Sequence, residues 1–425
     1  MASPPPVLNS RPTAGTASAQ TQRYTSALAA VTTLFFLWGF ITCLNDILIP
    51  YLKAIFQLSF AQANLINLCF FGAYFLMSIP SGKLVARLGY KRGMLLGFVV
   101  AAIGAFLFYP AAAQRAYGLF LGALFVLASG ITLLQVAANP YVAILGPSES
   151  ASSRLTLTQA FNSLGTTIAP LLGSALILSR LPKLDSTADA ASIDVSAVQM
   201  PYLVIGGALL LISLILSRIN LPAIEHAAED SEVTGDHRTS ARQYRHLILG
   251  VVGIFAYVGA EVAIGSHIAS YVALPDVLSL DPVAAGNKVA FYWGAAMVGR
   301  FAGAYLLNKF APTKLLAINA VGAVVLVLIS INTTGAVAMW SLLAVGLMNS
   351  LMYPTIFTLA MAGLGRHTEE GSGLLCTAIV GGALVPMLFG FIADHSSLRI
   401  ALLLPVVCYV YIMWYGLRGS RRSVA

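Results

Sequence analysis

The sequence predicts an all-α membrane protein, twelve transmembrane helices arranged as two pseudo-symmetric six-helix bundles. Three observations carry this. Of 425 residues, 58% are apolar and only 9% are charged, against roughly 25% charged in an ordinary soluble domain. Apolar runs of about 20 residues follow one another almost end to end, each long enough to cross a hydrocarbon core of roughly 30 Å as a helix. The most polar connection falls near the middle of the chain and leaves six runs on either side.

Taken in order, residues 1–22 are rich in Pro, Ser, Thr, Ala and Gln and lack the apolar core of a signal peptide, so they read as a disordered cytoplasmic tail. The N-terminal six-helix bundle, 23–219, holds spans at about 25–50, 60–81, 94–113, 119–145, 155–178 and 201–217. The stretch 220–243, with Glu225, Glu229, Asp230, Glu232 and Asp236, reads as a solvated cytoplasmic linker. The C-terminal six-helix bundle, 244–418, holds spans at about 247–273, 284–307, 315–333, 337–364, 373–392 and 398–417, and 419–425 is a second cytoplasmic tail. A polar loop at 181–200 belongs on the outer side. Cys43, Cys69, Cys376 and Cys408 lie in apolar segments without metal-ligand spacing and read as buried free thiols.

With both termini inside, 17 of the 24 Lys and Arg fall on the inner side, six on the outer, and Arg300 within a span. That bias predicts a multi-pass membrane protein with cytoplasmic termini. It also makes the net charge of +8 topological; no basic run interleaved with aromatics points to nucleic acid. Two halves around a polar linker form the pattern of transporters that hold substrate near the midplane between repeats. Both halves lie in one chain, so a monomer suffices.

Fourteen of the sixteen acidic residues lie in loops or at span ends; Asp46 in span one and Glu261 in span seven do not. A carboxylate at membrane depth must be protonated, paired or facing water, so each is a candidate cation-coupling site. The cation is a proton, or a sodium ion held near Asp46 or Glu261 with backbone carbonyls of a broken helix. The alternative is that each acid pairs with a polar neighbour and only fixes helix packing.

A hydroxylated ligand needs amide and hydroxyl groups, plus an aromatic face for its C–H surface. Gln159 and Asn162 share one face of span five at i, i+3; Gln135 and Asn139 share one of span four at i, i+4, just before Pro140 is expected to break the helix. Asn349 and Tyr353 are spaced i, i+4 on span ten, and Trp38 lies about two turns from Asp46, near enough in angle to share a cavity wall. The competing reading is interhelical hydrogen bonding or plain packing. Arg300 is a counter-ion for Glu261, a donor to the ligand, or a residue that snorkels or bonds carbonyls. His267 reads as structural or pore-lining, and Trp414 as an interfacial anchor.

The segments FFLWGF at 35–40, LNDIL at 44–48, QVAANPY at 135–141 and LTLTQAFNSLG at 155–165 together resemble the fucose:proton symporter family. YPTIF at 353–357 and YVGAE at 257–261 carry the match into the second half, and within the family the chain looks most like the bacterial glucose/galactose transporters. The resemblance implies the major facilitator fold, uptake of a hexose, coupling through Asp46, and sugar contacts from Gln159 and Asn162. It implies no cofactor. One departure is Gln135, where the fucose transporters carry a second acid; an amide holds hydroxyls but does not titrate, which makes Glu261 the candidate second acid. The YVGAE segment also resembles the animal sodium-dependent glucose transporters, which keeps sodium open. In the loop motif between spans two and three, Gly82, Leu84, Arg87, Gly89, Lys91 and Arg92 fit, but Ala86 stands where an Asp is usual. The charge network there should be weaker or differently wired.

Three other functions compete. A proton-driven exporter of small amphipathic compounds would want an apolar, aromatic pocket rather than amides. A sugar sensor would want an output domain. An integral-membrane enzyme would want a nucleophile with its base, or a metal cluster, and no such grouping occurs within the spans.

Overall fold

With no water in a bilayer core, the backbone of each apolar run must bond to itself, and it does so as helix. The computed structural model describes residues 24–41, 43, 60–176, 196–222 and 239–421. Asp46, the tail 1–22, most of the 181–200 loop, the acidic part of the linker and the last four residues lie outside them. The described residues contain no strand. Ten spans are long and apolar enough to cross a membrane by length and composition. Spans five and eight, Ala151–Leu176 and Pro282–Leu306, complete twelve; they are of similar length but more polar.

In the first half, span one (Tyr24–Ile41) precedes Phe60–Leu88, Tyr90–Ala113, Tyr117–Ile144, span five and Ser196–Arg218. Arg245–Val272, span eight, Pro312–Asn332 and three broken spans, Gly335–Met361, Gly365–His395 and Leu398–Gly419, make the second half. Spans three and four lie so close that a Cβ on Gly97 would sit 2.9 Å from the Leu134 nitrogen, the small-residue approach by which helices pack without a hydrophobic drive between them. The expected loop between spans two and three shrinks to a single corner residue, Gly89, whose φ of 80° lies where a side chain is strained.

Three expectations about helix limits are corrected. Span six starts at Ser196, ahead of Pro201. Span four does not break at Pro140 but runs on to Ile144. Proline supplies no N–H to the carbonyl four residues back, that of Val136, and the hydroxyl of Ser372 from span eleven donates to it instead at 2.9 Å. Span ten is broken: Gly335–Asn349 ends in a turn at Ser350 and Leu351 before Met352–Met361. Pro354 withholds the N–H that the Ser350 carbonyl would take in a continuous helix.

The halves meet where span two packs on span eleven, and span five on spans eight and ten. Their closest contacts gather at the end of the bundle that carries the linker. Ser152 and Thr358 hydroxyls lie 2.6 Å apart, Ser153 donates to the Ala304 carbonyl at 2.7 Å, and Tyr90 hydrogen-bonds the Glu369 carboxylate. A Cβ on Gly82 would lie 2.8 Å from the Glu369 carbonyl oxygen, so the two backbones touch there. The linker end is closed.

Candidate functional site

Deeper in the seam, polar side chains from both halves form a nearly continuous ring. Asn139 of span four is wholly buried and donates to the Tyr353 hydroxyl of span ten at 3.2 Å. Gln159 of span five donates to the Asn139 carbonyl at 3.4 Å, near the upper limit for such a bond. The Tyr353 ring lies 6.3 Å from that of Tyr257, whose hydroxyl donates to Glu261 at 2.7 Å. Glu261, 8% exposed, is paired with Arg300 at 3.5 Å. Arg300 in turn donates to Ser163 across the seam, and Ser163 donates to the Gln159 backbone carbonyl at 2.9 Å, which closes the circuit. Gln135 extends it with a 2.6 Å bond to the Tyr74 hydroxyl of span two.

The local reasons are legible. Tyr257 stands four residues before Glu261, so both project from one face of span seven. Ser163 stands four residues after Gln159 on span five for the same reason. Sequence reasoning did not single out Tyr257, Ser163 or Tyr74, since a lone hydroxyl in an apolar span carries no charge to mark it. The i, i+4 spacing of Tyr257 to Glu261 was the available signal.

Other expected residues go elsewhere. Asn162 donates to the Phe35 carbonyl at 2.9 Å, beside the crossing where a Cβ on Gly165 would lie 2.9 Å from the Phe40 nitrogen. Span one and span five are thereby joined. Trp38 turns into the first bundle, its ring 5.4 Å from Phe35, and lines a small apolar cavity with Phe98, Leu127, Ile131 and Leu134. The shared face expected for Asn349 and Tyr353 is lost at the break in span ten: Asn349 is wholly buried and donates to the Tyr292 hydroxyl at 2.7 Å inside the second half. His267 bonds the Ala263 carbonyl at 2.8 Å and rests on Phe389.

Residues 27–379 match the model of the Major Facilitator Superfamily. The chain belongs to the major facilitator superfamily. This facilitator is 54% identical to the glucose/galactose transporter of Brucella abortus biovar 1 (strain 9-941) over 96% of its own length and 97% of the relative's. It is 36% identical to the L-fucose-proton symporter of Escherichia coli (strain K12), over 93% of this chain and 94% of that one. The crystal structure of the facilitator FucP in the outward conformation superposes with a TM-score of 0.85 at 35% identity, covering 94% of this chain and all of that one. The fold and the multi-pass membrane character follow from these likenesses.

Proposed function

We propose that this facilitator takes up a hexose, glucose or galactose, together with a proton, by alternating access of a site between its halves. The observation that carries the reading is the polar ring at the seam. Amides of Gln135, Asn139 and Gln159 and the hydroxyls of Tyr74 and Tyr353 supply both donors and acceptors, which sugar hydroxyls require and an amphipathic drug does not. The Nε of Arg300 is buried without a partner, and a sugar hydroxyl oxygen is a suitable acceptor for it. The names of the two relatives, one a glucose/galactose transporter and the other a proton symporter, point the same way.

Coupling is assigned to Asp46 and Glu261. Glu261 accepts from Tyr257 and pairs with Arg300, which itself reaches the other half, so a change of charge at Glu261 alters a contact across the seam. The closed linker end is assigned to the cytoplasm of the inner membrane, with both termini there, and the monomer is the working unit. Asn162 and Trp38 support the site by positioning span one.

Labelled glucose uptake into proteoliposomes under separately imposed gradients tests this. Accumulation driven by a pH gradient and competed by galactose is expected. Accumulation that follows only a sodium gradient would replace the proton, and uptake blocked by excess fucose but not by excess glucose would overturn the hexose assignment.

A further inference from the structure

At the linker end a partly open chamber of about 450 Å³ lies between span two and the start of span eleven. Its walls come from three parts of the chain: Lys83 of span two, Arg242 at the end of the linker, and Arg366 with His367 at the start of span eleven. The acids lining it are already engaged. Glu370 accepts from the Ser240 hydroxyl at 2.8 Å and the Ala241 N–H at 2.9 Å, with His367 at 3.5 Å, and Glu369 bonds Tyr90. The side chains of Lys83 and Arg242 have no partner among the described residues, and Ala86, also in the wall, puts a methyl group where the loop motif usually places a carboxylate.

We infer that this chamber binds a phosphate monoester, whose dianion stands in for the missing carboxylate. Lys83, Arg242 and Arg366 approach from separate segments, so they can surround a phosphate as charge-assisted donors. The volume exceeds what phosphate alone fills and accommodates an attached sugar or glycerol. A ligand there ties span two to span eleven and holds the linker end shut. The source is a soluble sugar phosphate or the monoester phosphate of a lipid, phosphatidic acid.

The test is binding rather than transport, so it stands whether or not the hexose reading does. Purified full-length protein in detergent is titrated with glucose 6-phosphate, with glucose as control, and its melting temperature is followed. A saturable rise with the phosphate ester alone is expected. The Lys83→Gln and Arg242→Gln pair should weaken it roughly tenfold or more, and Ala86→Asp, at an exposed position, should abolish it by refilling the chamber with a carboxylate. Nanodiscs of phosphatidylcholine with or without phosphatidic acid separate the sources: stabilisation by phosphatidic acid that the same variants remove, without a response to glucose 6-phosphate, keeps the phosphate site and assigns it to lipid. No response to either, or one that the variants leave intact, overturns the inference. So does a response seen only when Glu225, Glu229, Asp230, Glu232 and Asp236 are all neutralised, since the linker would then be the occupant.

Discussion

Replacing Glu261 by Gln separates the ion pair from the hydrogen bond that share its carboxylate. Gln keeps an oxygen for Tyr257 to donate to, but it removes the charge that faces Arg300 at 3.5 Å. The two side chains are 11% and 17% exposed, so the guanidinium is left largely out of water with Ser163 as its remaining side-chain partner among the described residues. Breaking one side of a buried pair costs about 3–5 kcal/mol; the residual exposure puts this case near the lower figure. Arg300→Gln should cost a similar amount by stranding the carboxylate. The double variant, neutral on both sides, should lose less than the sum of the singles by at least about 1.5 kcal/mol. Melting of the four purified proteins in one detergent measures this cycle. Strictly additive losses would mean that the pair contributes nothing as a pair, and the ring would lose its charged link.

Asp46→Asn should keep sugar binding and equilibrative exchange while losing accumulation against a gradient; accumulation at the wild-type level would remove Asp46 from coupling. Gln159→Ala should weaken sugar binding by about 1–3 kcal/mol, whereas Asn162→Ala should mainly lower the melting temperature, because its amide donates to the Phe35 carbonyl and joins spans one and five; equal losses of sugar affinity in both would contradict the distinction. Ser372→Ala leaves the Val136 carbonyl without its donor across the seam, so the linker end should open more often, read as faster alkylation of a cysteine introduced at Ser153 in Ser372→Ala than in its parent.

Spans were legible because lipid imposes length and apolarity together, and even the polar spans five and eight keep enough of both to be read. Directions around a helix were less so. Trp38 sits in a helix apolar on nearly every side, where no moment tells which face meets which neighbour, and it turned into the bundle. Asn349 and Tyr353 were joined by a spacing rule that presumes unbroken helix, while the rule of proline at 354 argued the other way. Pro140 shows the converse: a missing N–H breaks a helix only if the freed carbonyl finds nothing else, and Ser372, more than two hundred residues away, could not be seen to supply it. Arg300 and Glu261 were recognisable as isolated charges in apolar spans, and their distance apart needed the fold.

The turn at Ser350 and Leu351 divides the attachments of one span between two bodies. Above it, Asn349 is anchored to Tyr292 within its own half; below it, Tyr353 reaches Asn139 and Thr358 meets Ser152, both in the opposite half. An unbroken helix would transmit any tilt of its lower end to its upper end. A jointed one absorbs that tilt in two residues' dihedrals, so the lower segment can let go of the first half while the upper segment stays seated. The segment that the joint uncouples is a rod of ten residues, Met352–Met361.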